Sequence, residues 1–324
     1  MCTAISFKTK DHYFGRNLDL ERSYGESVVV MPRRFPLPFK RMPSMDAHLA
    51  MIGMAVVADG QPLYYDAVNE TGLCAAALNF PGYARYVSEI PSRYNVAPYE
   101  LIIWLLAQCS CVSQARALLE KASLVSIPFS DSLPLTPLHF LVCDANESIV
   151  VEQTADGLQI HDNPVGILTN SPPFDYHMTR LRDFSALSSR QPVNTFDPAV
   201  TLEPYSRGMG AMGLPGDLSS VSRFVRAAFM KAHSLCGETD EQSVTQFFHI
   251  LDSVSHIRGS VMVGDQPQIT VYSCCCNASR GVYFYTTYEN RQITAIDMHA
   301  ENLDGSALSA FRLTHQQQIR TQNR

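Results

Sequence analysis

Strand-patterned and helix-patterned segments come in blocks along this chain, and that order narrows the possible folds more than any other feature. Strand-like runs lie at 27–31, 50–58, 63–68 and 73–78. A helical pair follows at 98–108 and 113–122. The first is apolar nearly all round with Pro98 in its opening turn; the second is amphipathic with Ser113 as its expected N-cap. Strands return at 138–143, 148–153, 158–161 and 166–169, helices at 174–187, 221–234 and 241–255, and strands again at 268–276, 281–288 and 292–298. Single strands and helices do not alternate as in a parallel sheet, so the order predicts an α+β layered domain. No repeat, low-complexity tract or linker divides residues 1–324, and the glycine-rich run 208–217 reads as a loop between elements. One domain is the expectation.

The chain opens with a hairpin pattern. Thr3, Ile5 and Phe7 alternate with Ala4, Ser6 and Lys8, Lys10 and Asp11 turn the chain, and 12–20 runs back. Such a return brings Arg16 or Asp19 beside Cys2. By itself Cys2 reads as a small residue near a chain start. Removal of Met1, however, would leave a thiol and a free α-amine on one residue. Their ordinary pKa values, about 8.5 and about 7.7–8.0, both lie close to neutrality. Nucleophile and general base then coincide, which is the logic of an N-terminal nucleophile.

A net charge of −6 argues against nucleic acid or an anionic membrane as the main partner. No apolar run approaches the roughly 20 residues of a membrane-spanning helix, and no signal peptide is expected. The nine cysteines form no CxxC pair, and no histidine pair at metal spacing accompanies them. Alternation sends Cys274 and Cys276 to one face of a strand and Cys275 to the other, as ordinary small apolar residues. A reducing cytoplasm is the simplest setting. With neither a P-loop nor a dinucleotide fingerprint, no metal or cofactor is expected.

Six runs, in order, carry a resemblance: Met1-Cys2-Thr3, Phe14 to Asp19, Ala77 to Tyr83, Gly166 to Pro172, Gly213 to Arg226, and Tyr285 to Ile293. The chain resembles, over nearly its whole length, the choloylglycine hydrolases, which comprise bile salt hydrolases and penicillin V acylases and form a cysteine branch of the N-terminal nucleophile hydrolases. The resemblance implies a four-layer αββα sandwich with Cys2 at the end of an inner strand. It also implies hydrolysis of a linear amide through a Cys2 thioester, with the freed α-amine as general base.

Arg16, Asp19, Asn79, Asn170 and Arg223 match the family's remaining catalytic positions. A guanidinium near Cys2 favours the thiolate, and a carboxylate can hold the ammonium. An amide N–H from Asn79 or Asn170 would stabilise the oxyanion. Read without the resemblance, Arg16 and Asp19 could be an ion pair beside a hairpin, and the two asparagines strand-ending turn residues. Arg223 falls in the first turn of the helix expected from 221, an unfavourable end for a cation, which points to a task elsewhere.

The family likeness marks Leu18, Tyr24, Tyr65, Phe129 and Leu133 as lining an apolar mouth, although ordinary packing explains each as well. The loop 126–137 is apolar enough to need something to cover. Conjugated bile acids are the expected substrate, because Asn79 stands where characterised penicillin V acylases often carry tyrosine. A penicillin V acylase is the alternative, and a binding protein that has lost its chemistry is a third reading. A homotetramer is implied by the resemblance, with 188–216 as the place to look for an assembly loop.

Overall fold

The structure, a computed structural model, describes residues 1–323. Two antiparallel sheets lie face to face. One has six strands, ordered Ile167–Leu168, Cys2–Lys8, His12–Leu20, Ile269–Asn277, Val282–Thr287 and Thr294–Asp297. The other has eight, ordered Gly157–Asp162, Ser148–Thr154, Leu138–Cys143, Cys74–Asn79, Gln61–Asn69, Met51–Ala58, Ser27–Met31 and Ser309–Arg312.

Helices cover the outer faces. α1 (Leu101–Leu106) and α2 (Val112–Leu119) pack on the eight-stranded sheet, where Leu105, Leu106 and Leu119 meet Val29, Ala67, Phe140 and Val151 in one core. α3 (Phe174–Leu181), α4 (Ser220–His233) and α5 (Asp240–Asp252) cover the six-stranded sheet through Phe174, Phe224 and Phe247. The inward residues of the two sheets, such as Ala4, Phe14, Met54, Leu78 and Leu141, fill the space between them. The layers therefore run αββα, as expected.

The differences from the sequence reading have local causes. α2 does not begin at a Ser113 cap; its N-cap is Cys111, and the Val112 N–H donates instead to Asp144 Oδ2 at 2.8 Å, a carboxylate from a distant turn. α2 ends at Leu119 because Ala122–Leu124 pairs in parallel with Tyr94–Val96. α3 stops at Leu181 and continues only as a 3₁₀ turn, Arg182–Phe184. The edge strand Ser309–Arg312 also lies outside the expected set. Cys274, Cys275 and Cys276 are all buried, as small core residues should be.

Two features set the nucleophile strand in place. His12–Leu20 is central, pairing with Cys2–Lys8 on one side and Ile269–Asn277 on the other. Gly15 permits this close approach, since a Cβ there would meet the Cys274 carbonyl oxygen at 1.9 Å. The register against Ile269–Asn277 then shifts between Thr270 and Tyr272, a bulge that re-aims side chains beside Asp19.

Candidate active site

The hairpin register places Cys2 opposite Leu18, Thr3 opposite Asn17, and Ala4 opposite Arg16. Side chains alternate across a strand, so Cys2, Arg16 and Leu18 share the face between the sheets, and Thr3, Asn17 and Asp19 share the face toward the helices. The contacts agree. Arg16 Nη1 donates to the Tyr65 and Ala77 carbonyls in the opposite sheet, at 3.0 and 2.6 Å. Asn17 Nδ2 donates to the Leu251 carbonyl in α5 at 2.9 Å.

Arg16 is fully buried, and its Nη2 has no hydrogen-bond partner. Burial alone would weaken its hold on a proton. Cys2, followed by Tyr272, Asp66 and Cys274, outweighs that and drives its pKa upward. Asp66 completes this side: it is buried, accepts from Tyr272 Oη at 2.8 Å and Tyr283 Oη at 2.6 Å, and its carboxyl pKa is raised by burial.

The nitrogen of Cys2 faces a second group. It donates to Asn170 Oδ1 at 2.8 Å. Arg223 Nη2 donates to the same oxygen at 2.7 Å, while Nη1 donates to the Cys2 carbonyl at 2.5 Å and to Thr3 Oγ1 at 2.6 Å. Arg223 thus spends its charge inward, which accounts for a cation in the first turn of α4; burial lowers its pKa against the pull of Asp19 and Cys2. Asp19 Oδ1 accepts from Thr270 Oγ1 at 2.6 Å, while Oδ2 is buried without a partner, 3.9 Å from Arg223 Nη1. The Met1 amine is bonded to the Asp19 carbonyl.

Asn170 is braced on every side. Its N–H donates to Ser220 Oγ at 2.8 Å, its carbonyl accepts from His177 Nε2 at 2.8 Å, and its Nδ2 donates to the Asn79 carbonyl at 2.8 Å. Burial pushes the His177 pKa down to about 4, so at neutral pH this ring is a neutral donor. His139 Nε2 meets the Thr169 carbonyl at 3.0 Å while its Nδ1 meets Glu152 Oε1, fixing the strand that leads into Asn170. Asn170 was expected as an oxyanion donor; here its amide oxygen orders the Cys2 nitrogen and Arg223. Asn79 Nδ2 makes no hydrogen bond among the described residues.

The expected lining residues divide. Leu18 is buried on a strand, 2% exposed, rather than on a mouth loop. Tyr65 is half-buried; burial raises its pKa, and Glu26, Tyr24 and Cys2 act on it electrostatically in the same direction. Tyr24 is exposed. Phe129 stacks edge-on against Tyr99, and Leu133 closes a short bridge with Ser130. The end of their loop is pinned near Asn79, since the Phe80 N–H donates to the Pro137 carbonyl at 2.7 Å. A cavity of about 640 Å³ lined by Phe7, Leu181, Phe184 and Phe229 lies at the other end of the nucleophile strand.

Sequence reasoning missed Thr3, Thr270, Ser220 and His177, all polar residues that act on the site through partners. No spacing rule marks a lone polar residue for such a task. Among the described residues, no helix is long and apolar enough to cross a membrane.

Along nearly its whole length the chain is similar to known proteins of one family. The family model of linear amide C–N hydrolases, choloylglycine hydrolase family, matches residues 2–311. A bile salt hydrolase/transferase of Lactiplantibacillus plantarum is 50% identical over 319 residues, 98% of each chain. One from Clostridium perfringens is 39% identical over 318 residues, 96% of this chain and 97% of its own. The solved structure of the mutant C2A conjugated bile acid hydrolase from Clostridium perfringens superposes with a TM-score of 0.92 at 38% identity, covering 100% of both chains. A penicillin V acylase from Agrobacterium tumefaciens shares the fold, with a TM-score of 0.75 at 19% identity over 96% of this chain and 90% of its own.

Proposed function

The chain belongs to the choloylglycine hydrolase family, and from that premise we propose that it is a bile salt hydrolase, cleaving the amide that joins glycine or taurine to a bile acid. The observation that carries the reading is the buried constellation on the Cys2 nitrogen: Asn170 Oδ1 at 2.8 Å, itself held by Arg223.

Loss of Met1 turns that nitrogen into an α-amine. It takes the thiol proton as Sγ attacks the acyl carbon, and the oxyanion that forms is stabilised by the Asn79 amide. The tetrahedral species collapses by breaking the C–N bond, and the α-ammonium gives its proton to the departing glycine or taurine nitrogen. Water, deprotonated by the same amine, then attacks the thioester and releases the bile acid. Arg16 supports the thiolate from between the sheets. Asp19 holds the ammonium from the helix side, and Arg223 and Asn170 fix its direction. Tyr65 and Tyr24, with Leu18 packed behind them and Phe129 and Leu133 on the loop above Asn79, would shape the acyl mouth.

We read residues 1–324 as one catalytic domain, acting in the cytoplasm. A homotetramer assembled through 188–216 is supported by Val193, Phe196 and Tyr205, which are 82, 88 and 83% exposed there. Turnover of glycocholate, taurocholate and penicillin V, compared at equal enzyme concentration, tests the substrate. A clear preference for penicillin V overturns the proposal.

A further inference from the structure

His256 lies just past the end of α5, 1% exposed, and neither ring nitrogen has a hydrogen-bond partner. Its Nε2 is 3.7 Å from Asp19 Oδ2, which is also buried and unpartnered. The other carboxylate oxygen answers to the same residue. The His256 N–H donates to Thr270 Oγ1 at 2.7 Å, and that hydroxyl donates to Asp19 Oδ1 at 2.6 Å. The Thr270 N–H returns to the His256 carbonyl at 3.1 Å, so ring and backbone are clamped to the carboxylate as one unit. We propose that His256 is a positioning residue for Asp19, its Nε2–H holding the carboxylate toward the Cys2 nitrogen from the helix side of the sheet. The inference rests on the reading of Cys2 as the nucleophile.

Three observations favour this over simple packing. A buried polar atom left unpaired is costly, and Asp19 Oδ2 and His256 Nε2 can relieve each other by a shift of under about 1 Å. Behind the ring lies a cavity of about 290 Å³ whose walls include Ser255, Thr270, Ser273, Thr286 and Thr287. Such a hydroxyl-lined space, at roughly 30 Å³ of liquid volume per water, has room to hydrate Nδ1.

The third is charge. Asp19, the N-terminal amine and Arg223 act on the ring from the strand, the chain start and α4. Tyr288 and Arg291 stand on the cavity wall, with Arg291 bonded to Asp252 of α5. Burial, then Arg223 and the N-terminal amine, outweigh Asp19 and the neighbouring Gln268 side chain and push the His256 pKa down to about 4. At neutral pH the ring is an uncharged donor. It steadies the carboxylate without cancelling the negative charge that the ammonium needs.

The test is steady-state hydrolysis of glycocholate by His256→Ala and His256→Gln, with Cys2→Ala alongside. The expected result is a kcat loss of at least ten-fold in His256→Ala with KM within two-fold, and recovery in His256→Gln to within three-fold of the parent. A loss under three-fold in His256→Ala, a loss carried by KM, or equal damage in both variants overturns the proposal. Should alanine fail to fold, His256→Leu fills the space without a donor and is held to the same limits. If Cys2→Ala is inactive while His256→Ala is unimpaired, this inference alone fails. If Cys2→Ala keeps the parental rate, the reading beneath it fails.

Discussion

The side-chain oxygen of Asn170 lies 2.8 Å from the backbone nitrogen of Cys2, although 168 positions separate them in the chain. One oxygen therefore ties the start of the nucleophile strand to the turn after Ile167–Leu168, and through Arg223 to α4.

Asn170→Ala removes that tie and leaves Arg223 Nη2 without its acceptor. A misdirected amine of this kind costs on the order of 10² in rate. Measured kcat should fall by about that factor with KM nearly unchanged. A kcat within ten-fold of the parent would mean the contact is incidental.

Arg223→Met strips hydrogen bonds from the Cys2 carbonyl, Thr3 and Asn170, and leaves Asp19 less compensated. Breaking a buried charged network costs roughly 3–5 kcal/mol, to be read from urea unfolding midpoints. A change below about 1 kcal/mol contradicts the network's importance.

A chain carrying one extra residue before Cys2 after processing keeps the fold but has an amide where the base should be. Hydrolysis should drop to background while the melting temperature holds, and protease trimming back to Cys2 should restore it. Activity in the untrimmed protein refutes the amine's role.

Acid should weaken the fold through His177. Its folded-state pKa, about 4, lies below the ordinary value of about 6.5, so the unfolded chain binds its proton first as pH falls. The stability it contributes is complete above the unfolded value and is lost progressively between about 6.5 and 4. The melting temperature should therefore slope less steeply with pH in His177→Gln than in the parent across that window. Identical slopes count against a buried neutral ring.

Tyr283→Phe takes one of the two phenol donors from Asp66. Left with only the weak Cys274 thiol donor at 3.6 Å, Oδ1 should cost about 1–3 kcal/mol in stability. A neutral substitution would show that Asp66 is satisfied without it.

The layered architecture was legible because block order and alternation are properties of contiguous residues. The hairpin from Cys2 through Leu20 could be read residue by residue for the same reason. Asn170 and Arg223 came from motif likeness, and their contacts with the Cys2 backbone could not be read from either segment alone. His256 and Thr270 escaped because they meet Asp19 only after a bulge shifts the register of Ile269–Asn277. The mistaken Ser113 cap has a similar origin, since a carboxylate 32 positions from Val112 takes its place.

Alternation along one hairpin puts the sulfur and the carboxylate on opposite sides of a sheet, Cys2 beside Leu18 and Asp19 beside Thr270. Proton handling and acyl recognition are thereby insulated from each other by a layer of hydrogen-bonded backbone. Descendants of such a chain are free to remodel which acid they accept by altering residues around the sulfur, while the carboxylate and the groups that hold it on the other side go untouched.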